Sequence, residues 1–454
     1  MKRKLMAMFL VATMTIPMGT VVVQAEDNEE KTTVTIWTKS RADADYALPK
    51  IEEYNQNNTD GVIVDYQIYS DNYEQAIDMA AQSDSLPDIC MVGDKATYAK
   101  MKGNGQWLNL YDYMDDEMKE TFSKGIVDGV NKEDNNVYYI IAEGTACRLF
   151  YNKEIFERVG ISAPPETMEE MVSDAKKITD ELSGEGIYGF AQNMKSPGSA
   201  LGRSLDPGMS RDIGLMKGFN FATGTYEFEK LADTAKYWKE LLSEEIAFPG
   251  CESLDIDPLR SQFAAGKIGM YFSYTSAEPG VYKNQFPMDS DKWDCAPIPT
   301  ADGSVDGKQA FGEAIAYTIN AKSEHADKAF AVLKNLILSD DYLVGHYEEG
   351  YGISIIPSVI EKANPSEDFV NKKYLLMTDE DAFIPADPQT ANAQAVVIEG
   401  DDYYSAFASI IYGDADIDKT LADCSARYNA AYQKGIEDGI GTDMTIENYD
   451  PLNP

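Results

Sequence analysis

Residues 32–38, TTVTIWT, alternate apolar and polar positions on β-branched side chains. The period then lengthens to a helical one from Tyr46 to about Asn57. The same two beats return in residues 61–70, GVIVDYQIYS, a strand, and in Tyr73–Ala81, a helix. Pro87-Asp-Ile-Cys-Met-Val92 adds a short apolar run bounded by turn chemistry. A strand–helix rhythm of this kind predicts an α/β fold with a parallel sheet covered by helices. Ligands of such sheets sit beyond the carboxyl ends of the strands, here the loops after Trp37, Tyr69 and Val92.

Further along, Tyr138–Ala142 and Cys147–Tyr151 read as two strands separated by Glu143-Gly-Thr145, a candidate crossing between domains. Pro164-Pro165 precedes a helix from Thr167 to about Leu182, and residues 228–243 and 258–265 are also helical in pattern. A strand is expected over Lys267–Phe272, and others over 293–298 and 313–319. Helices follow over His325–Leu338 and Asp341–Glu349. Asp416 can cap a closing helix from Ile417 to about Lys434, ahead of a polar end expected to fray.

Composition narrows the function. Met1-Lys-Arg-Lys4 and the interrupted apolar run to Val23 have the layout of a secretory signal, with cleavage expected after Ala25. Residues 1–25 carry three basic groups and no acidic ones, so their removal leaves 429 residues and takes the net charge from −38 to −41. A field of that sign repels nucleic acid and anionic lipid. The length predicts two domains. Five widely spaced cysteines make no disulfide framework, and Cys90 and Cys147 read as buried free thiols. His325 and His346 have no metal-ligand cluster around them, so neither metal nor cofactor is expected. Asp414-Ala-Asp-Ile-Asp418 opens like a calcium loop, but Lys419 stands where that loop needs glycine and Ser425 where it needs glutamate.

Six segments carry a resemblance: Val34-Thr-Ile-Trp37, Leu86-Pro-Asp-Ile-Cys90, Gly105-Gln-Trp-Leu-Asn-Leu110, Leu149-Phe-Tyr-Asn-Lys-Glu-Ile-Phe156, Phe263-Ala-Ala-Gly-Lys-Ile-Gly-Met270 and Ala296-Pro-Ile-Pro299. In order and spacing the chain resembles the sugar-type solute-binding proteins of bacterial ABC importers, the maltose-binding-protein-like family. The resemblance implies a two-lobed periplasmic-binding-protein fold of type II, with a hinge and an interlobe ligand cleft. Residues 26–142 plus 311–362 would form the N-terminal lobe, 143–310 plus 363–440 the C-terminal lobe, and 441–454 a polar tail. It further implies an extracytoplasmic monomer, periplasmic or secreted, that captures a neutral carbohydrate by hinge closure. That monomer would then deliver the sugar to the membrane permease and ATPase of the importer. The first cysteine is Cys90, so no lipid-anchoring cysteine follows the signal.

A sugar site needs aromatic platforms and side chains able to make paired hydrogen bonds. The candidates are Trp37, Lys39, Arg41 and Asp43 after the first strand, and Asp94 after the third, which could equally cap a helix. Glu143, Thr145 and Arg148 stand at the crossing, where Arg148 either reaches the cleft or pairs with a buried acid. Asn193, Ser273, Tyr274, Glu313, Tyr351, Tyr403 and Tyr404 complete the set, with Tyr274 the expected platform. The rival readings are a secreted glycoside hydrolase, for which Glu143, Glu313 and Asp94 could supply two carboxylates, and a carbohydrate-binding surface protein.

Overall fold

The computed structural model describes residues 31–41, 43–69 and 72–454, without the side chains at 368 and 369. The export signal lies outside the described residues.

The opening rhythm folds as its periodicity predicts. Strands β1 (Thr32–Thr38) and β2 (Val62–Ile68) pair in parallel along their whole length, and β3 (Ile89–Met91) pairs in parallel with the other edge of β1. A strand that returns much later, Tyr317–Ile319, closes this sheet antiparallel to β3. The helices Ala44–Asn57 and Tyr73–Gln82 follow β1 and β2. Val34, Ile36, Val62, Val64 and Ile89 are buried in one hydrophobic core with Phe330 and Leu333.

A second, larger core is built around β4 (Glu143–Asn152), β5 (Tyr188–Phe190), β6 (Ile268–Tyr274) and β7 (Gln309–Glu313). The sheet runs Asp381–Ala382, β7, β4, β6, β5, with Trp293–Ala296 and Ile353–Ser354 also paired to β4. Leu149, Phe150, Phe190, Phe272 and Trp238 fill this core. The helix Met168–Leu182 packs on it, started by a reciprocal Thr167–Glu170 capping box. Asp416 caps the long helix Ile417–Glu437 by accepting from the Lys419 amide at 2.9 Å.

Strand β4 belongs to both halves. Ala146, with Phe311 of β7, is buried in the first core, and Cys147, Leu149 and Phe150 are buried in the second. Of the two strands expected around Glu143-Gly-Thr145, only the second forms, and it starts earlier, at Glu143, taking in the expected loop. Tyr139–Ala142 is buried but outside the ladders, its backbone served locally: the Tyr139 carbonyl accepts from the Asn131 side-chain amide at 2.7 Å and the Ile141 amide donates to the Gly125 carbonyl at 3.0 Å. The closing segment is docked rather than frayed. The Ile446 amide donates to the Phe221 carbonyl at 2.8 Å, the Lys308 amide to the Pro451 carbonyl at 2.8 Å, and Tyr449 packs 5.1 Å from Phe221. All five cysteines are buried and unpaired.

Candidate functional site

A chamber of about 480 Å³ lies between the two cores. The crossing strands supply its floor through Thr145 and Cys147 on β4 and Gly312 and Glu313 on β7. Lys39 after β1, and Val92, Gly93 and Lys95 after β3, reach it from the first core. Asp206, Met216, Lys217, Tyr274 and Ser276 reach it from the second. The carboxyl ends of parallel strands thus feed one wall, as the topology requires.

Asp206 is the most elaborately held of these groups. It lies on the helix Leu205–Ile213, 6% exposed, and its two oxygens accept from the Tyr403 hydroxyl at 2.7 Å and the Tyr404 hydroxyl at 2.6 Å. Burial raises its carboxyl above the ordinary range, while Lys217 and the two hydroxyls pull the other way. Burial also pushes both phenols up, so they stay donors. A carboxylate offers about four acceptor positions, and two remain after the tyrosines are served. Tyr274 stands nearby at the end of β6, with the Arg203 guanidinium 5.1 Å from its ring centroid. Thr145 and Ser276 join their hydroxyls across the floor at 2.9 Å. One wall therefore combines an aromatic plate, a preorganised acceptor pair and hydroxyls. That is a set suited to hydrogen-bonding a polyhydroxylated ring and stacking on its C–H face.

Of the residues singled out in the sequence, Lys39, Thr145, Tyr274 and Glu313 line the chamber. Lys39 pairs with Glu74 at 2.7 Å, and Glu313 pairs with Lys95. Tyr403 and Tyr404 act through Asp206. Trp37 is half-buried and packs on Tyr69 with ring centroids 4.4 Å apart, and Arg41 is exposed. Asp94 is a helix cap, accepting from the amide and hydroxyl of Thr97 at 2.8 and 2.9 Å.

Five others point inward. Arg148 does not reach the cleft: it is 1% exposed and grips Asp381 through two parallel bonds of 2.9 and 2.7 Å, with a third to the Tyr374 carbonyl. Asn193 is buried beside Gln192, and Ser273 is buried against Glu278. Glu143 is buried against His346, whose Nδ1 lies 2.9 Å from one of its oxygens. Asp43 faces the other ring nitrogen of His346 at 3.6 Å and accepts from the Ser40 hydroxyl. Tyr351 packs 5.5 Å from the same imidazole and does not line the chamber.

Asp206 and Lys217 were missed. The run Ser204-Leu-Asp-Pro-Gly-Met209 reads as a turn, and the only available cue was the adjacent pair Tyr403-Tyr404, which needed a buried acceptor. Among the described residues no cluster of three or more His, Cys, Asp or Glu side chains is arranged to hold a metal. No described helix is long and apolar enough to cross a membrane.

Residues 38–342 match the family model described as bacterial extracellular solute-binding protein. The chain belongs to that family. A putative binding protein of Brucella abortus is 26% identical to this solute-binding protein over 345 residues, 71% of this chain and 74% of the relative. A diacetylchitobiose-binding protein of Streptomyces coelicolor is 24% identical over 205 residues, 42% of this chain and 47% of the relative. Among solved structures, the ABC transporter solute-binding protein of Thermotoga lettingae bound with α-D-tagatose superposes with a TM-score of 0.70. Its identity is 18%, covering 88% of this chain and 100% of that one. The Agrobacterium radiobacter solute-binding protein in complex with ribitol gives 0.68 at 19% identity, covering 88% and 98%. These likenesses share the two-lobed architecture.

Proposed function

We propose that this solute-binding protein is the extracytoplasmic receptor of an ABC importer and captures a carbohydrate in the chamber between its lobes, without catalysing a reaction on it. The observation that carries the reading is the lobe-two wall, where Asp206 on its two tyrosine hydroxyls faces the chamber beside Tyr274. The ligands of those relatives, diacetylchitobiose, tagatose and ribitol, are all polyhydroxylated. Residues 26–142 plus 311–362 then act as one lobe and 143–310 plus 363–440 as the other. Ligand draws them together about the crossing strands, and the monomer presents its closed form to the permease.

The hydrolase alternative loses its carboxylate pair. Asp94 caps a helix, Glu143 is locked against His346, and Glu313 is neutralised by Lys95. A thermal-shift screen against mono- and oligosaccharides is expected to raise the midpoint for at least one sugar. Asp206→Asn should weaken that sugar about 10- to 100-fold, because a carboxylate accepts more strongly than an amide. A panel with no shift, or release of product from any oligosaccharide, would end this reading.

A further inference from the structure

Several chain segments pass from one core to the other, and a buried charge cluster ties them together. Along the helix Asp340–Glu348, Tyr342 and Leu343 are buried in the first core and Tyr347 in the second. Ile353 is buried in the second core and Ile355 back in the first, and β4 changes core between Ala146 and Cys147. His346 lies on that helix, 1% exposed, with its Nδ1 2.9 Å from the carboxylate of Glu143, the first residue of β4. The same carboxylate lies so close to Gly352 that a Cβ there would meet its nearer oxygen at 2.5 Å.

The cluster reaches the chamber on two sides without lining it. Glu143 stands two residues before Thr145 of the floor, and its carbonyl accepts from the amide of Ala314, another chamber residue, at 3.1 Å. Asp43 ends the loop that carries Lys39 to the chamber. It accepts from the Ser40 hydroxyl, the Ser40 amide donates to the Thr38 hydroxyl at 3.1 Å, and the Asp43 carbonyl starts the helix Ala44–Asn57. Asp43 Oδ2 and His346 Nε2 face each other at 3.6 Å, and neither has a hydrogen-bond partner among the described residues.

Tyr46 from the helix after β1, Tyr342 from the same helix as His346 and Tyr351 from the turn beyond it pack on the imidazole, with Tyr66 and Tyr317 next to Asp43. Burial pushes all five phenols up, so they stay neutral. The outer charges are Asp45, Glu348, Asp341 paired with Lys50, and Glu349 paired with Lys283. Burial lowers the proton affinity of the imidazole, but Glu143 and Asp43 outweigh it and hold His346 up at about 9.

We propose that His346 is a positioning residue for sugar capture: its imidazolium holds the Lys39 loop and the start of β4 together, and binding is thereby coupled to this proton. The inference rests on the carbohydrate reading above. A neutral imidazole has one N–H and can donate to only one of the two carboxylates. Loss of the proton therefore frees the other buried carboxylate and unties the two chamber walls.

Titration calorimetry from pH 7.5 to 10 tests this, with diacetylchitobiose, maltose, xylobiose, raffinose, tagatose and ribitol as probes, together with NMR of histidine-labelled protein. The chain has two histidines and His325 is exposed, so His325→Gln assigns the His346 signal. For a probe that binds, saturation is expected to move the His346 titration upward by about one pH unit. By linkage its affinity then falls about fivefold between pH 7.5 and 10. His346→Gln should bind more weakly at pH 7.5 and lose that fall. Asp43→Asn, which keeps the shape but removes one carboxylate, should move the fall to lower pH, a change that loss of packing alone would not produce. A His346 titration that is the same with and without bound sugar, or an equally steep affinity profile in His346→Gln, overturns the inference and leaves the carbohydrate reading standing. Absence of binding across the whole panel overturns the two together.

Discussion

His346 is buried between two carboxylates, and its protonation should be readable in the stability of the whole protein. Burial by itself would push the imidazole down, but Glu143 and Asp43 outweigh that effect and hold it up at about 9, against 6.5 for an unperturbed histidine. The folded state therefore binds this proton more tightly than the unfolded one. The stabilisation is fully present below about pH 6.5 and is lost as pH rises through 9. A difference of that size corresponds to about 3 kcal/mol, of which about 2 kcal/mol disappears between pH 6.5 and 8.5. Tyr46, Tyr342 and Tyr351 pack around the ring, and burial pushes all three phenols up, so they stay neutral through this window. The assay is urea denaturation at pH 6.5, 7.5 and 8.5 for the wild type and for His346→Gln. The buried thiols add their own decline at the alkaline end, because burial pushes them up and the unfolded chain releases their protons first. Subtracting the variant from the wild type removes that contribution. His346→Gln should be less stable at pH 6.5 and should lose the extra slope. An equal slope in both proteins would refute the assignment of a charged imidazolium between Asp43 and Glu143.

Two further substitutions probe the frame. Arg148→Met strands the Asp381 carboxylate in the interior and should cost about 3–5 kcal/mol by urea denaturation. The double variant Arg148→Met, Asp381→Leu should recover part of that loss, and no recovery would mean that packing rather than charge dominates. Gly144→Ala places a Cβ into the Phe311 ring at the strand crossing. A loss of about 1–3 kcal/mol is expected there, together with slower ligand association measured by stopped-flow fluorescence.

The architecture was legible because its signals are local. The alternation at residues 32–38, the start of a helix at Thr167, the cap at Asp416 and the placement of Tyr274 at the end of a strand all depend on neighbours within a few residues. The site was legible only in part, and the errors share a cause. Arg148 satisfies its charge with a residue 233 positions away, and Asp206 finds its two hydroxyls 197 and 198 positions away. No window of sequence contains either partner. Asp94 shows the reverse: its partner Thr97 is three residues on, so the capping role was visible from the start.

Strand β4 has a mechanical consequence. One continuous ribbon, Glu143–Asn152, is stitched into both cores, and its Thr145, with Gly312 beside it, borders the chamber. In the closure proposed above, rotation of one lobe against the other would turn about an axis near these residues, and displacement would grow with the length of the lever arm. The contacts around Thr145 and Tyr274 would lie close to the pivot and change little in spacing. Contacts that do not involve β4, such as that of Pro385 with Gly129, would travel more. A ligand held beside β4 would then keep nearly constant contacts while groups remote from the strand open and close. In such a device, recognition near the pivot and gating away from it can be altered independently.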